Sequence, residues 1–98
     1  MQINITGRQI EITDPIRDYA DKRMQLLVRR GDPINKVDLT LASNELRTIY
    51  TASATVPVPG KQLHANAESE DMYKSIDELV RKLERQIRKH REKETDHR

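Results

Sequence analysis

The residues best suited to chemistry are cations. From Arg81 to Lys93 there are seven Lys or Arg and two Glu, a local balance of +5, whereas Met1 to Val80 holds ten basic and twelve acidic residues, a balance of −2. The formal charge of +2 hides this split. A basic stripe confined to one element is the footprint of a polyanion partner, most often nucleic acid. At ~100° per residue, Lys74, Arg81, Lys82, Arg85, Arg88 and Lys89 share the third of a helical wheel opposite the apolar stripe, with Glu78 and Glu92 among them. The acids available to pair with them are few: Glu78 with Lys82, Glu84 with Arg88, and Glu92 with Arg88 or Lys89. A helix dipole accounts only for cations in the last turn, and Arg81, Lys82 and Arg85 lie upstream of it. The stripe therefore reads as a phosphate-binding face rather than a merely solvated one.

An earlier helical segment adds Lys22, Arg29 and Arg30, diluted by Asp18 and Asp21. Arg23 is odder, because its wheel position falls inside the apolar arc with Tyr19, Ala20 and Leu27. Its stem could snorkel out at the helix edge. Alternatively, its guanidinium sits in a groove between helices and faces RNA. Other chemistry is poorly represented. His64, His90 and His97 lack metal-ligand spacing, and Ser69 and Asp71 near His64 do not make a triad. The three glycines form no phosphate-cradling loop, and there is no cysteine for a disulfide or thiolate site. No catalytic residue, metal site, cofactor or small-molecule substrate is expected.

The elements that must position the cations follow from periodicity. Gln2 to Thr6 alternates as a half-buried strand, and Gly7 marks a turn. Thr13-Asp14-Pro15 starts a helix carrying Ile16, Tyr19, Ala20, Met24 and Leu27, which should stop near Arg30 at Gly31-Asp32-Pro33. Strands follow through Val37, Leu39 and Leu41, then Tyr50, Ala52, Ala54 and Val56, then Leu63, Ala65 and Ala67. Asn44 to Arg47 forms a turn, and Pro57-Val58-Pro59-Gly60 ends the third strand. Asp71 caps a last helix whose core stripe is Met72, Ile76, Leu79, Val80, Leu83 and Ile87.

The fold class is α+β, a β-α-β-β-β-α two-layer sandwich. Both helices cover the apolar face of one four-stranded sheet, and small Ala side chains in the last two strands let them sit close. Residues 1–93 form a single domain and 94–98 a short polar tail. The N-terminus is not a signal peptide, and no apolar run approaches the ~20 residues that span a bilayer, so a cytoplasmic protein without a membrane partner is expected. The layout is similar to that of double-stranded-RNA-binding domains. Those gather phosphate contacts near the start of their second helix, which here is acidic. The polar sheet face has no aromatic platform for stacking bases. Contact with a structured RNA backbone fits better.

The opening MQINITG, the stretch EITDPIRDYADKR and the run LHANAESEDMYKSIDELVRKLERQIRKH carry a resemblance across nearly the whole chain. The chain resembles the short ribosome hibernation promoting factors, relatives of the ribosome-associated inhibitor once described as sigma-54 modulation proteins. The spacing EDMY-x-x-ID-x-L-x-x-KL-x-RQ is long and specific. The resemblance implies a protein that enters the decoding channel of the small ribosomal subunit. There it covers the mRNA path and the aminoacyl and peptidyl tRNA sites, and contacts 16S ribosomal RNA. It also implies stored, inactive ribosome dimers in stationary phase or stress, with a separate ribosome modulation factor as a further partner. The family's basic positions match Arg23, Lys82, Arg85 and Lys89, with Arg81 and Arg88 extending the stripe. Long members append a second domain, and the cold-shock inhibitor has a longer acidic tail, so the short type fits best.

Two rival functions make different expectations. A transcription modulator acting by protein contacts would bind a sigma factor at high salt and ignore reversal of these charges. A metal-dependent hydrolase using His64 would purify with stoichiometric metal.

Overall fold

The computed structural model describes residues 1–27 and 34–95, with the backbone alone for 93–95. Alternating side chains build three of the strands as expected: β2 (Lys36–Ser43), β3 (Tyr50–Val58) and β4 (Lys61–Ser69). β1 (Gln2–Arg8) pairs parallel with β2, and β2-β3 and β3-β4 pair antiparallel, giving the sheet order β1-β2-β3-β4. The parallel pair requires a crossover, which α1 (Asp14–Gln25) supplies. α2 (Met72–Thr95) closes the β-α-β-β-β-α order.

One face of the sheet is apolar. Val37, Leu39, Leu41, Ala52, Ala54, Val56, Leu63 and Ala67 are buried in a single cluster with residues from both helices. From α1 come Ala20 and Met24; from α2 come Met72, Ile76, Leu79, Val80, Leu83 and Ile87. The whole expected stripe of α2 is thus inside. Each large aliphatic side chain so buried contributes about 1.5–3 kcal/mol. α2 lies along β4 and β3, where Ala52, Ala54 and Ala67 leave room for it.

The helix starts are capped by the expected residues. Thr13 Oγ1 accepts from Ile16 N at 3.4 Å with Pro15 in the first turn. Asp71 Oδ1 accepts from Tyr73 N at 2.8 Å. Asn44 organises the β2-β3 loop, its Oδ1 accepting from Thr48 N and Ile49 N and its carbonyl from Arg47 N.

Four boundaries differ from the sequence reading. Gly7 lies within β1, not at its turn; the chain turns after Arg8, where Gln9 takes φ 60. Gly7 is needed because a Cβ there would lie 2.6 Å from Ile10 O. β3 continues through Pro57 to Val58. Pro57 is opposite Gln62 of β4, beyond Thr55, the last β3 residue paired with β2, so no β2 acceptor needs its missing N–H. α1 ends at Gln25 rather than near Arg30. Its end tightens, with Leu26 N bonded to Arg23 O and Leu27 N to Met24 O, which tucks Leu27 into the core. Finally, α2 takes in Glu94 and Thr95, which the sequence reading assigned to the tail. Arg29, Arg30 and the Gly31-Asp32-Pro33 breaker lie outside the described residues.

Candidate nucleic-acid interface

Lys82, Gln86 and Lys89 recur at spacings of four and three, so they line one flank of α2, with Arg85 above them. That flank faces the free edge of β4. Between them runs an open cleft of about 690 Å³ whose lining includes His64, Asn66, Lys82, Arg85, Gln86 and Lys89. Arg88 reaches the same cleft, and Glu92 is the acidic group in its lining. Two long side chains bridge the cleft floor: Lys82 Nζ donates to Asn66 O at 2.8 Å, and Gln86 Nε2 donates to His64 O at 2.7 Å.

The cations are little neutralised. Glu78 meets Arg81 at 3.9 Å, one residue nearer in the chain than the expected Lys82, and both side chains are more than half exposed. Such a pair is worth well under about 1 kcal/mol. Among the described residues, no ion pair joins Glu84 or Glu92 to Arg88 or Lys89. Arg85, Arg88 and Lys89 are exposed, and Lys22 is exposed on α1.

Arg23 is elsewhere. Five residues at ~100° each put Lys82 about 140° around α2 from Asp77, and Arg23 is on the Asp77 side. Its Nε lies 3.0 Å from Asp77 Oδ1, with the two side chains 31% and 29% exposed. The same Oδ1 accepts the Tyr19 hydroxyl at 2.6 Å, and the Tyr19 ring meets Tyr73 edge-on at 4.9 Å. Arg23 thus occupies the groove between the helices, but with an acidic partner that the wheel did not suggest. Donating to Asp77 holds the Tyr19 phenol above its usual 10, with burial and the Asp77 charge pushing the same way and Arg23 pulling it down. The cations consequently form a ridge over α2, with Lys82, Arg85 and Lys89 gathered along β4, Arg23 on the α1 side, and Arg88 between them, lining clefts on both flanks.

The sequence reading missed Gln86, Asn66 and Asp77. Gln86 was detectable at four residues from Lys82; the two backbone carbonyls carry no sequence signal. His64 is exposed on the polar sheet face with its Nδ1 3.1 Å from Thr55 Oγ1, and no metal-holding group of His, Cys, Asp or Glu occurs among the described residues. No helix of the described residues is long and apolar enough to cross a membrane.

A family model described as Sigma 54 modulation protein / S30EA ribosomal protein matches residues 3–95. The chain belongs to this family. A ribosome hibernation promoting factor of the family from Escherichia coli K12 is 40% identical over 97 residues, spanning 99% of this chain and 100% of that protein. Another from Azotobacter vinelandii is 42% identical over 96 residues, 98% of this chain and 88% of that one. A ribosomal subunit interface protein from Coxiella burnetii has a solved structure that matches with TM-score 0.85 and 32% identity, covering 93% of this chain and 98% of the other. The N-terminal domain of Thermus thermophilus Protein Y matches with TM-score 0.81 and 32% identity, covering 92% and 99%. The family resemblance read from the motifs and the β-α-β-β-β-α fold both hold in these relatives.

Proposed function

We propose that this protein is a ribosome hibernation factor that acts in the cytoplasm by occupying the small ribosomal subunit. It lies in the decoding channel over the mRNA path and the aminoacyl and peptidyl tRNA sites, and it blocks translation sterically without catalysis. Inactive ribosome dimers form as a result, with a ribosome modulation factor as a further partner. The observation that carries this reading is the unneutralised row Lys82, Arg85 and Lys89 along an open cleft, on the side of α2 away from the core. Such a row suits 16S ribosomal RNA phosphates. Arg81, Arg88, Lys22 and Arg23 extend it over the helices, and Arg29 and Arg30 follow α1 in sequence. Ribosomal relatives at 40% identity over nearly the whole chain support the same partner.

The test is co-sedimentation with purified small subunits. Reversing Lys82, Arg85 and Lys89 to Glu abolishes it while circular dichroism stays native. Replacing the same three with Gln lowers the slope of log K against log salt by about 2–3, since each phosphate contact contributes roughly 0.7–0.9. Unchanged sedimentation in both variants refutes the proposal. The alternative, a sigma-54 modulator acting by protein contacts, predicts sigma-factor binding that survives high salt and both sets of substitutions.

A further inference from the structure

β4 is an edge strand, and an edge leaves a row of N–H and C=O groups without ladder partners. Two contacts fix which groups these are. Asn66 O and His64 O are bonded to Lys82 and Gln86 of α2, so both carbonyls point away from β3. In an antiparallel ladder the N–H and C=O of one residue point to the same side. Thr55↔His64 and Ser53↔Asn66 are therefore the pairs that exchange no ladder bonds, and the N–H groups of His64 and Asn66 also face outward, toward α2.

The two kinds of edge group differ in occupancy. The carbonyls are taken by Lys82 and Gln86. Neither N–H meets an acceptor among the described residues. At its centre, over His64 and Asn66, the edge thus presents donors and withholds acceptors, and Arg85 and Lys89 across the cleft add further donors. A peptide strand joining an edge needs both kinds of group in alternation. A phosphodiester supplies acceptors only and needs donors only.

We infer that the β4 edge is part of the RNA-binding surface: the backbone N–H groups of His64 and Asn66 donate to phosphate oxygens of an RNA strand lying in the cleft between β4 and α2. Lys82 and Gln86 hold the Asn66 and His64 carbonyls, which turns this central stretch of the edge from a strand-pairing site into a phosphate site. This inference rests on the RNA reading above and locates the strand within it. Backbone donors read phosphate without reading sequence, which suits a contact that positions rather than specifies.

The experiment is an amide ¹H–¹⁵N titration of the full chain with a single-stranded uridine decamer at low salt. The His64 and Asn66 amides shift downfield, while those of Leu63 and Ala65, which bond to β3, move much less. Asn66→Pro removes one outward N–H and no ladder bond. It binds small subunits roughly tenfold more weakly than Asn66→Ala, which also lacks the amide side chain but keeps the N–H, as expected for one hydrogen bond to a charged acceptor. Its salt slope matches that of Asn66→Ala, because no charge is lost. Should Asn66→Pro misfold, an amide-to-ester replacement at position 66 makes the same comparison. Equal affinity of the Pro and Ala variants with unmoved His64 and Asn66 amides overturns the inference. If the Glu reversals still abolish sedimentation in that case, the RNA reading stands and only the edge contact falls. Concentration-dependent shifts of these amides without RNA also overturn it, by showing that the edge pairs with a second copy.

Discussion

Removing Asp77 tests the interhelical clamp directly. Its Oδ1 accepts the Tyr19 hydroxyl at 2.6 Å and lies 3.0 Å from Arg23 Nε. A hydrogen bond to a charged acceptor is worth about 1.5–3 kcal/mol, and a partly exposed ion pair about 0.2–1 kcal/mol. The Asp77 and Arg23 side chains are about 30% exposed, so water replaces part of what is lost. Asp77→Ala should therefore cost about 2 kcal/mol, which in a domain of this size lowers Tm by about 8–16 °C. In a urea-denaturation cycle with Tyr19→Phe, the two substitutions should couple by about 1 kcal/mol or more, since both remove one contact. The clamp also has a pH signature. The folded Tyr19 pKa lies above its unfolded value, chiefly because the phenol donates to Asp77. The native state keeps that proton where the unfolded chain has lost it, so the contribution is fully present below the unfolded pKa near 10. It is lost as pH rises through the raised value. Tyr19→Phe should flatten this alkaline fall in stability. Coupling below about 0.5 kcal/mol, within the scatter of independent sites, would refute the clamp. So would an alkaline fall identical in the parent and in Tyr19→Phe.

Two further substitutions probe the frame that holds α2 against the sheet. Ser75 is fully buried and donates to Tyr50 O at 2.7 Å while meeting Ser69 Oγ at 2.8 Å; Ser75→Ala removes that bond and should cost about 0.5–1.5 kcal/mol by chemical denaturation. Gly7→Ala drives a Cβ to within 2.6 Å of Ile10 O and 3.0 Å of Ile12 Cγ1, so the β1 end must move; a loss of about 1–3 kcal/mol is expected, read as a lower Tm in calorimetry.

Much of the fold was legible because each element carries its own period. Met72, Ile76, Leu79, Val80, Leu83 and Ile87 repeat at helical spacing, and all are buried. Alternation in β2 to β4 is equally local, as are the caps at Thr13 and Asp71. The boundaries that differed depend on neighbours. Gly7 was read as a turn because glycine usually marks one, yet it serves a close approach by Ile10. Pro57 was read as a strand end, yet β3 tolerates it where β2 pairing has stopped.

The amino-acid order by itself determined that cations collect on the face of the last helix opposite its core, because 3.6-residue periodicity fixes which side chains share a face. Only the tertiary structure decided what each cation faces. Packing against Ala52, Ala54 and Ala67 brings α2 beside the β4 edge, so Lys82 reaches Asn66 O instead of Glu78. The crossing of α1 over the sheet brings Arg23 to Asp77, residues far apart in the chain. Hydrogen bonds and ion pairs act over a few ångströms, and sequence periodicity sets directions around one helix axis without setting distances to another element.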